Sequence, residues 1–177
     1  MIEYRPFLEA LLKGYENSYD VEEVTDSDEN SLLVAKAHFH VTESQCLVFK
    51  EFSMWTAEAD EYVFVYYVKK LTGGIANELI KKTYDVGFPL IHFEDKDFKH
   101  QHMCTRFVAL FITEEADTEA VKCIKKCKIY KNFNFSLKGW MEMHTAVVNL
   151  TDGSVAGNRY SKDTVKFLKE LVSHRQK

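Results

Sequence analysis

The chain has 177 residues and a formal net charge of −4, with 46% hydrophobic and 28% charged residues. These values are typical of a folded globular domain and exclude a disordered chain. The negative net charge gives no overall attraction to nucleic acids or anionic lipids, so binding to either would need a local basic patch. We therefore expect a single domain spanning residues 1–177.

The sequence also indicates the cellular compartment in which the protein is expected. The first residues mix charged and apolar side chains, unlike a secretory signal, and no apolar run approaches the length of a membrane span. We therefore expect a cytoplasmic protein that does not bind membranes. In that compartment the 4 cysteines should stay reduced rather than form disulfides.

The first half of the chain predicts one helix followed by strands. Apolar residues at helical spacing follow Pro6, and an acidic connection covers residues 16–30, with a short edge strand at Tyr19, Val21 and Val24 as the alternative. Alternation then predicts a strand at Leu33–Val41, a second at residues 46–56, and a third at residues 62–68. The third is apolar on both faces, which is typical of a central strand. Short connections between the three favour an antiparallel meander.

The second half alternates helices with strands. A helix is predicted from about Ile75 to Gly87, followed by a long loop over residues 88–101 and an apolar strand at residues 103–113. Asp117 can cap a short helix that ends near Lys126, because its carboxylate can accept a hydrogen bond from the first turn.

The C-terminal segment predicts the remaining sheet and a last helix. Strands are expected at residues 128–135 and 140–150, and the Asp152-Gly153 pair predicts a hairpin turn. Ser161 is positioned to cap the final helix. The complete pattern predicts an α+β fold with a mixed, mainly antiparallel sheet of about six to seven strands and three to four helices packed on it.

Histidines provide one candidate site. His38 and His40 lie two residues apart in a predicted strand and therefore share a face, and His144 lies within another predicted strand. Imidazole nitrogens bind divalent metals, so these three residues form a hypothetical metal site, with Glu58 or Asp60 as further ligands. This arrangement would suit a metal-dependent hydrolase or nuclease. Ordinary surface histidines are the alternative.

Lysines provide a second candidate site within residues 122–138, a stretch that contains no acidic residue. Such a patch attracts phosphates, and nearby aromatic side chains can stack on bases, so the stretch predicts anion or nucleic-acid binding. The lysines concerned are Lys122, Lys125, Lys126, Lys128 and Lys131. Favourable interaction of lysines with the end of their own helix is the alternative.

The sequence contains no phosphate-binding loop, dinucleotide-binding glycine motif, hydrolase nucleophile elbow or zinc-protease motif. No cofactor is therefore predicted beyond the possible divalent metal. High aromatic content without a catalytic signature favours a non-enzymatic domain that binds a protein or a small ligand. The metal-dependent enzyme and the nucleic-acid-binding protein are the two alternatives.

Two strings carry a resemblance to other proteins. They are WTAEADEYVF, which begins at Trp55, and GWMEMHTAVVNL, which begins at Gly139. In these strings the chain resembles a family of small uncharacterised proteins from anaerobic bacteria, over nearly its whole length. The resemblance implies a free-standing domain, and it implies no activity and no catalytic residues.

Overall fold

A computed structural model describes residues 1–24, 32–41, 57–91, 101–135 and 138–175. The predicted strand at residues 46–56 and most of the predicted loop at residues 88–101 lie outside this part of the chain. The described residues form four α-helices, one short 3-10 helix and seven strands. In chain order these are α1 (Tyr4–Tyr15), β1 (Asp20–Glu23), β2 (Leu33–Val41), β3 (Ala57–Leu71), α2 (Gly73–Gly87), the 3-10 helix (Phe88–Leu90), β4 (Gln101–Ala116), α3 (Thr118–Lys126), β5 (Tyr130–Asn132), β6 (Trp140–Asn149), β7 (Val155–Gly157) and α4 (Lys162–Ser173).

The seven strands form one mixed sheet in the order β1-β2-β3-β4-β6, with β5 and β7 both paired to the outer edge of β6. Four of the strand pairings are antiparallel, whereas β3, β4 and β6 run parallel at the centre of the sheet. The predicted α+β class with a mixed, mainly antiparallel sheet is confirmed. The parallel centre was not predicted, and it arises because α2 and α3 connect successive strands across the sheet.

The order of the first strands differs from the predicted meander. Strand β2 pairs directly with β3, with His38 opposite Tyr62, and β1 occupies the other edge of β2. The first and third predicted strands are therefore direct neighbours. Strand β1 also confirms that the acidic connection contains a short edge strand.

Helices cover both faces of the sheet, and the alternating residues of β4 are buried on both sides. Its residues Phe107, Ala109 and Phe111 pack with α2 and α3, whereas the alternating Val108 and Leu110 pack with α1 and α4. All five are fully buried. We refer to these two sides as the α2/α3 face and the α1/α4 face. A strand buried on both sides must be apolar throughout, so a charged residue within it is exceptional.

Two of the predicted turns and caps are confirmed and one is wrong. Asp117 Oδ1 accepts a hydrogen bond from Ala120 N at 2.6 Å, and Gly153 takes a positive φ of 72° in the hairpin between β6 and β7. Ser161 stands at the start of α4 without capping it. Its hydroxyl instead donates to Thr145 O or Asn158 Oδ1, at 3.0 and 2.7 Å, because both acceptors are buried beside it.

Asn158, which directly follows β7, connects β6 with Cys127 before β5 and with Ser161 before α4. Its Nδ2 donates to Met143 O at 2.7 Å and to Cys127 O at 3.1 Å, and its Oδ1 accepts from Thr145 N at 3.3 Å and Ser161 N at 3.2 Å. The residue is only 4% exposed. Its amide therefore satisfies backbone groups of β6 in the gap between β5 and β7.

Candidate functional site

Two of the predicted metal ligands, His38 and His144, lie on opposite faces of the sheet. His38 packs on the α2/α3 face, where it stacks on Tyr62 and its Nε2 lies 3.1 Å from Asp60 Oδ1. His144 lies on the opposite face, in a strand separated from that of His38 by two others. The side chains of His40 and Glu58 lie outside the described residues. Among the side chains that are described, no three His, Cys, Asp or Glu residues are placed to hold a metal ion.

The predicted lysine patch is exposed to solvent. Lys122 pairs with Glu119 at 3.1 Å, and Lys125, Lys126 and Lys128 extend from the end of α3 towards β5. The ammonium group of Lys131 lies 4.4 Å above the Phe88 ring. These lysines therefore lie on the surface that α3 and β5 form at one edge of the sheet.

A different group of residues lines a cleft on the α1/α4 face, with a volume of about 370 Å³. Charged residues of the three parallel strands form its floor, and aromatic and polar residues of α1, α4 and their flanking segments form its walls. We call this the polar cleft. Its residues are Tyr15, Tyr19, Glu61, Arg106, Glu142, His144, Tyr160, Asp163, Thr164 and Phe167.

The floor of the polar cleft is a continuous row of charged and polar groups. In the parallel register, Glu61 lies opposite Arg106 and Arg106 opposite Glu142, so all three side chains project from the same face. Arg106 Nη1 lies 3.6 Å from Glu61 Oε2, and Arg106 Nε lies 3.6 Å from Glu142 Oε1. Tyr19 donates to Glu61 Oε1 at 2.9 Å, and His144 Nε2 lies 3.0 Å from Glu142 Oε1.

The guanidinium of Arg106 makes only long contacts with the two carboxylates beside it. Both of its ion-pair distances are longer than an ordinary hydrogen bond. Its Nε is buried and has no hydrogen-bond partner among the described residues. A buried donor left in this state is unfavourable, and a ligand in the cleft cannot reach it. The Arg106 side chain as a whole is 39% exposed, so its outer N–H groups can donate to an oxygen atom of a bound ligand.

The surroundings of the cleft determine the protonation states of four groups in and beside it. The hydrogen bond from His144, supported by the charge of Arg106, lowers the pKa of Glu142, which is therefore ionised at neutral pH. Burial raises the pKa of the Cys104 thiol to about 12, and burial also raises the pKa of Tyr15 and Tyr19. These three groups are neutral at pH 7, so none of them is an activated nucleophile.

Four aromatic rings form the walls of the polar cleft. The Tyr15 ring packs edge-on against Tyr19 and Phe167, with centroid distances of 4.8 and 5.6 Å. On the other side, Tyr160 stacks with His144 at 6.0 Å. Aromatic faces beside carboxylates are a favourable environment for a positively charged group.

The sequence interpretation named only His144 among these floor residues as a ligand. Arg106 and Glu142 were missed because each was taken as part of an apolar strand. A signal was nevertheless present, since both are charged residues within strands that are otherwise apolar. Their convergence depends on the parallel register, which the sequence did not predict.

The lowered pKa of Glu142 makes a prediction about acid stability. A carboxylate with a depressed folded-state pKa contributes stability above its unfolded pKa, and this stability is lost as the pH falls through the folded pKa. We expect Glu142→Gln to lower the free energy of unfolding at pH 7, and we expect its deficit to shrink below about pH 4. Urea unfolding at a series of pH values measures this difference.

Glu78→Gln, an exposed carboxylate on α2, provides the control. Its effect should stay within about 0.5 kcal/mol throughout. A Glu142→Gln deficit that remains constant between neutral and acidic pH would show that the ionised carboxylate makes no special contribution.

The family of domains of unknown function DUF8052 matches the chain over residues 3–170. No curated protein and no solved structure matches the chain. The resemblance to an uncharacterised family is thereby confirmed. The described helices include none long and apolar enough to cross a membrane.

Proposed function

We propose that this chain, which belongs to the DUF8052 family, is a non-enzymatic binding domain whose polar cleft takes a small organic cation. One observation carries the proposal: paired carboxylates lie on the floor of a cleft with aromatic walls. Cytoplasmic location and an origin in anaerobic bacteria stay predictions.

The charge of the polar cleft supports a cationic ligand. Its lining holds three carboxylates, Glu61, Glu142 and Asp163, and one guanidinium, that of Arg106, which gives a formal charge of −2 when His144 is neutral. Arg159 stands beside the lining on Tyr160 and its charge also acts on Glu142, so the net charge around the cleft is −1 when Arg159 is included. The side chains of Glu61 and Glu142 are only 15% and 18% exposed. An ammonium group placed beside them would form charge-assisted hydrogen bonds in a partly desolvated site.

Arg106 narrows the choice of ligand. A ligand that carries only positive charge would be repelled by its guanidinium and could accept no hydrogen bond from it. A cation that also bears a hydroxyl or carbonyl oxygen would use both the carboxylates and the guanidinium. The volume of about 370 Å³ is at the lower end of the range for small-molecule sites, so we favour a compact amino alcohol or a similar molecule.

Matched ligands test the proposal by isothermal titration calorimetry. The cation 4-aminobutan-1-ol and the anion 4-hydroxybutyrate have similar length and opposite charge, and butane-1,4-diol is the neutral counterpart. We expect saturable binding of the cation and much weaker binding of the other two. Tighter binding of the anion would contradict the proposal.

Variants connect the binding to the cleft. Glu142→Gln keeps the shape of the side chain and removes its charge, so we expect about a tenfold loss of affinity for the cation. Glu78→Gln removes the same charge from the opposite face of the molecule and should leave the affinity unchanged. Equal affinities for both variants would place the ligand elsewhere.

A further inference from the structure

The turn between β5 and β6 contains an unusual phenylalanine. Phe135 has a positive φ of 54° and follows Asn134, whose φ is 49°. Asparagine tolerates this left-handed region, but it is unfavourable for a bulky residue, and glycine is the usual choice. The side chain of Phe135 is nevertheless 92% exposed. Burial in this domain therefore does not compensate for the strained backbone.

The described backbone on either side of Phe135 is hydrogen-bonded. Phe133 N donates to Gly139 O at 3.0 Å, and Lys138 N donates to Phe133 O at 3.1 Å. The Phe133 ring packs at 6.3 Å from Phe88, which anchors the hairpin on the α2/α3 face. The hairpin thus holds Phe133 against the domain and presents Phe135 to solvent. Strained, exposed residues on a supported frame are typical of binding sites.

The surroundings of the turn are positively charged. Four exposed lysines, Lys125, Lys126, Lys128 and Lys131, extend from the end of α3 through β5. None of them forms an ion pair with the described residues, whereas Lys122 pairs with Glu119. The end of α3 accounts for part of this charge, because lysines stabilise a helix C-terminus. It does not account for Lys131, which lies on β5.

We propose that the β5–β6 hairpin binds single-stranded nucleic acid, with Phe135 stacking on a base and these lysines contacting phosphates. Tyr130, which is 48% exposed, provides a second ring on β5. Unpaired bases expose the flat surfaces that aromatic rings stack on, and exposed lysines attract the phosphates of a strand. An anionic membrane fits less well, because stable insertion requires a larger apolar surface than one ring at the tip of a turn.

This site is independent of the polar cleft. The two involve different residues and different ligand charges, so failure of one proposal leaves the other standing. A protein of net charge −4 can bind nucleic acid only through such a local patch, and its binding should depend strongly on salt.

Fluorescence anisotropy with a labelled 12-nucleotide oligouridylate, and with the DNA equivalent, tests the inference. We expect binding that weakens from 50 to 200 mM salt, with a log–log slope of about −0.7 for each phosphate contact. Phe135→Gly should weaken binding by about fivefold to a hundredfold, and it should also raise the melting temperature because glycine relieves the backbone strain. Phe135→Trp should retain the binding.

Two variants that each remove one lysine charge test the role of the lysines. Lys131→Gln should weaken binding and reduce the salt slope by about 0.7, whereas Lys169→Gln on α4 should change neither. Absent or salt-independent binding overturns the inference, and so does wild-type affinity in Phe135→Gly. Vesicles containing phosphatidylserine test the alternative, binding to an anionic membrane. Phe135-dependent binding to these vesicles without binding to the oligonucleotides also overturns it.

Discussion

Replacing Asn158 with alanine is expected to lower the free energy of unfolding by about 4 kcal/mol, because it leaves several buried backbone groups without partners. The Asn158 amide bonds to Met143 O, Cys127 O, Thr145 N and Ser161 N. Each unsatisfied buried group costs about 1–3 kcal/mol, and partial rearrangement reduces their sum. Urea unfolding monitored by circular dichroism measures the change.

Asn149→Ala is the matched control for this substitution. Asn149 lies at the end of β6, and its Oδ1 accepts one exposed hydrogen bond, from Thr151 N at 2.9 Å. Its replacement should cost about 1 kcal/mol or less. Comparable effects of the two substitutions would show that Asn158 does not hold β6, Cys127 and Ser161 together as the structure indicates.

Replacing Arg106 with methionine is expected to destabilise the domain by about 2–3 kcal/mol at pH 7. The substitution keeps an apolar stem and leaves the carboxylates of Glu61 and Glu142 without the charge between them. Removing one partner of a buried ion pair costs about 3–5 kcal/mol, and we expect less here because the Arg106 side chain is 39% exposed. The deficit should shrink as the pH falls below about 4, because Arg106 helps to lower the pKa of Glu142 and its contribution is lost when that carboxylate is protonated.

Lys70→Met removes a positive charge from an exposed ion pair. It tests whether the destabilisation by Arg106→Met depends on the location of the charge in the polar cleft. Lys70 pairs with Glu115 at 3.4 Å, and both side chains are about two-thirds exposed. Such surface pairs contribute about 0–1 kcal/mol. An Arg106→Met effect that equals the Lys70→Met effect, or that is independent of pH, would contradict the electrostatic account of the polar cleft.

Local features of the fold could be predicted from the sequence. The Asp117 cap depends on residues three positions apart, and the β6–β7 hairpin depends on Asp152 and Gly153 alone. The apolar pattern of residues 62–68 also predicted a strand covered on both faces, and β3 is such a strand. In each case the determining interactions lie within one element or its immediate neighbours.

Features that depend on distant pairing could not be predicted in the same way. The side chains of Glu61, Arg106 and Glu142 meet only because two helical crossovers place three strands in parallel register. Ser161 follows the rule for a helix cap in sequence, but two buried acceptors from other elements bind its hydroxyl instead. The polar cleft is therefore a product of topology, and its residues carry no short motif.

A titration of isotopically labelled protein tests the central claim most directly, namely that the polar cleft is the ligand site. We expect 4-aminobutan-1-ol to shift the NMR signals of the Arg106 guanidinium and the His144 imidazole, together with backbone amides near Tyr19 and Tyr160. Glu142→Gln should weaken these shifts at equal ligand concentration. Shifts confined to the α2/α3 face, or equal shifts with 4-hydroxybutyrate, would contradict the account.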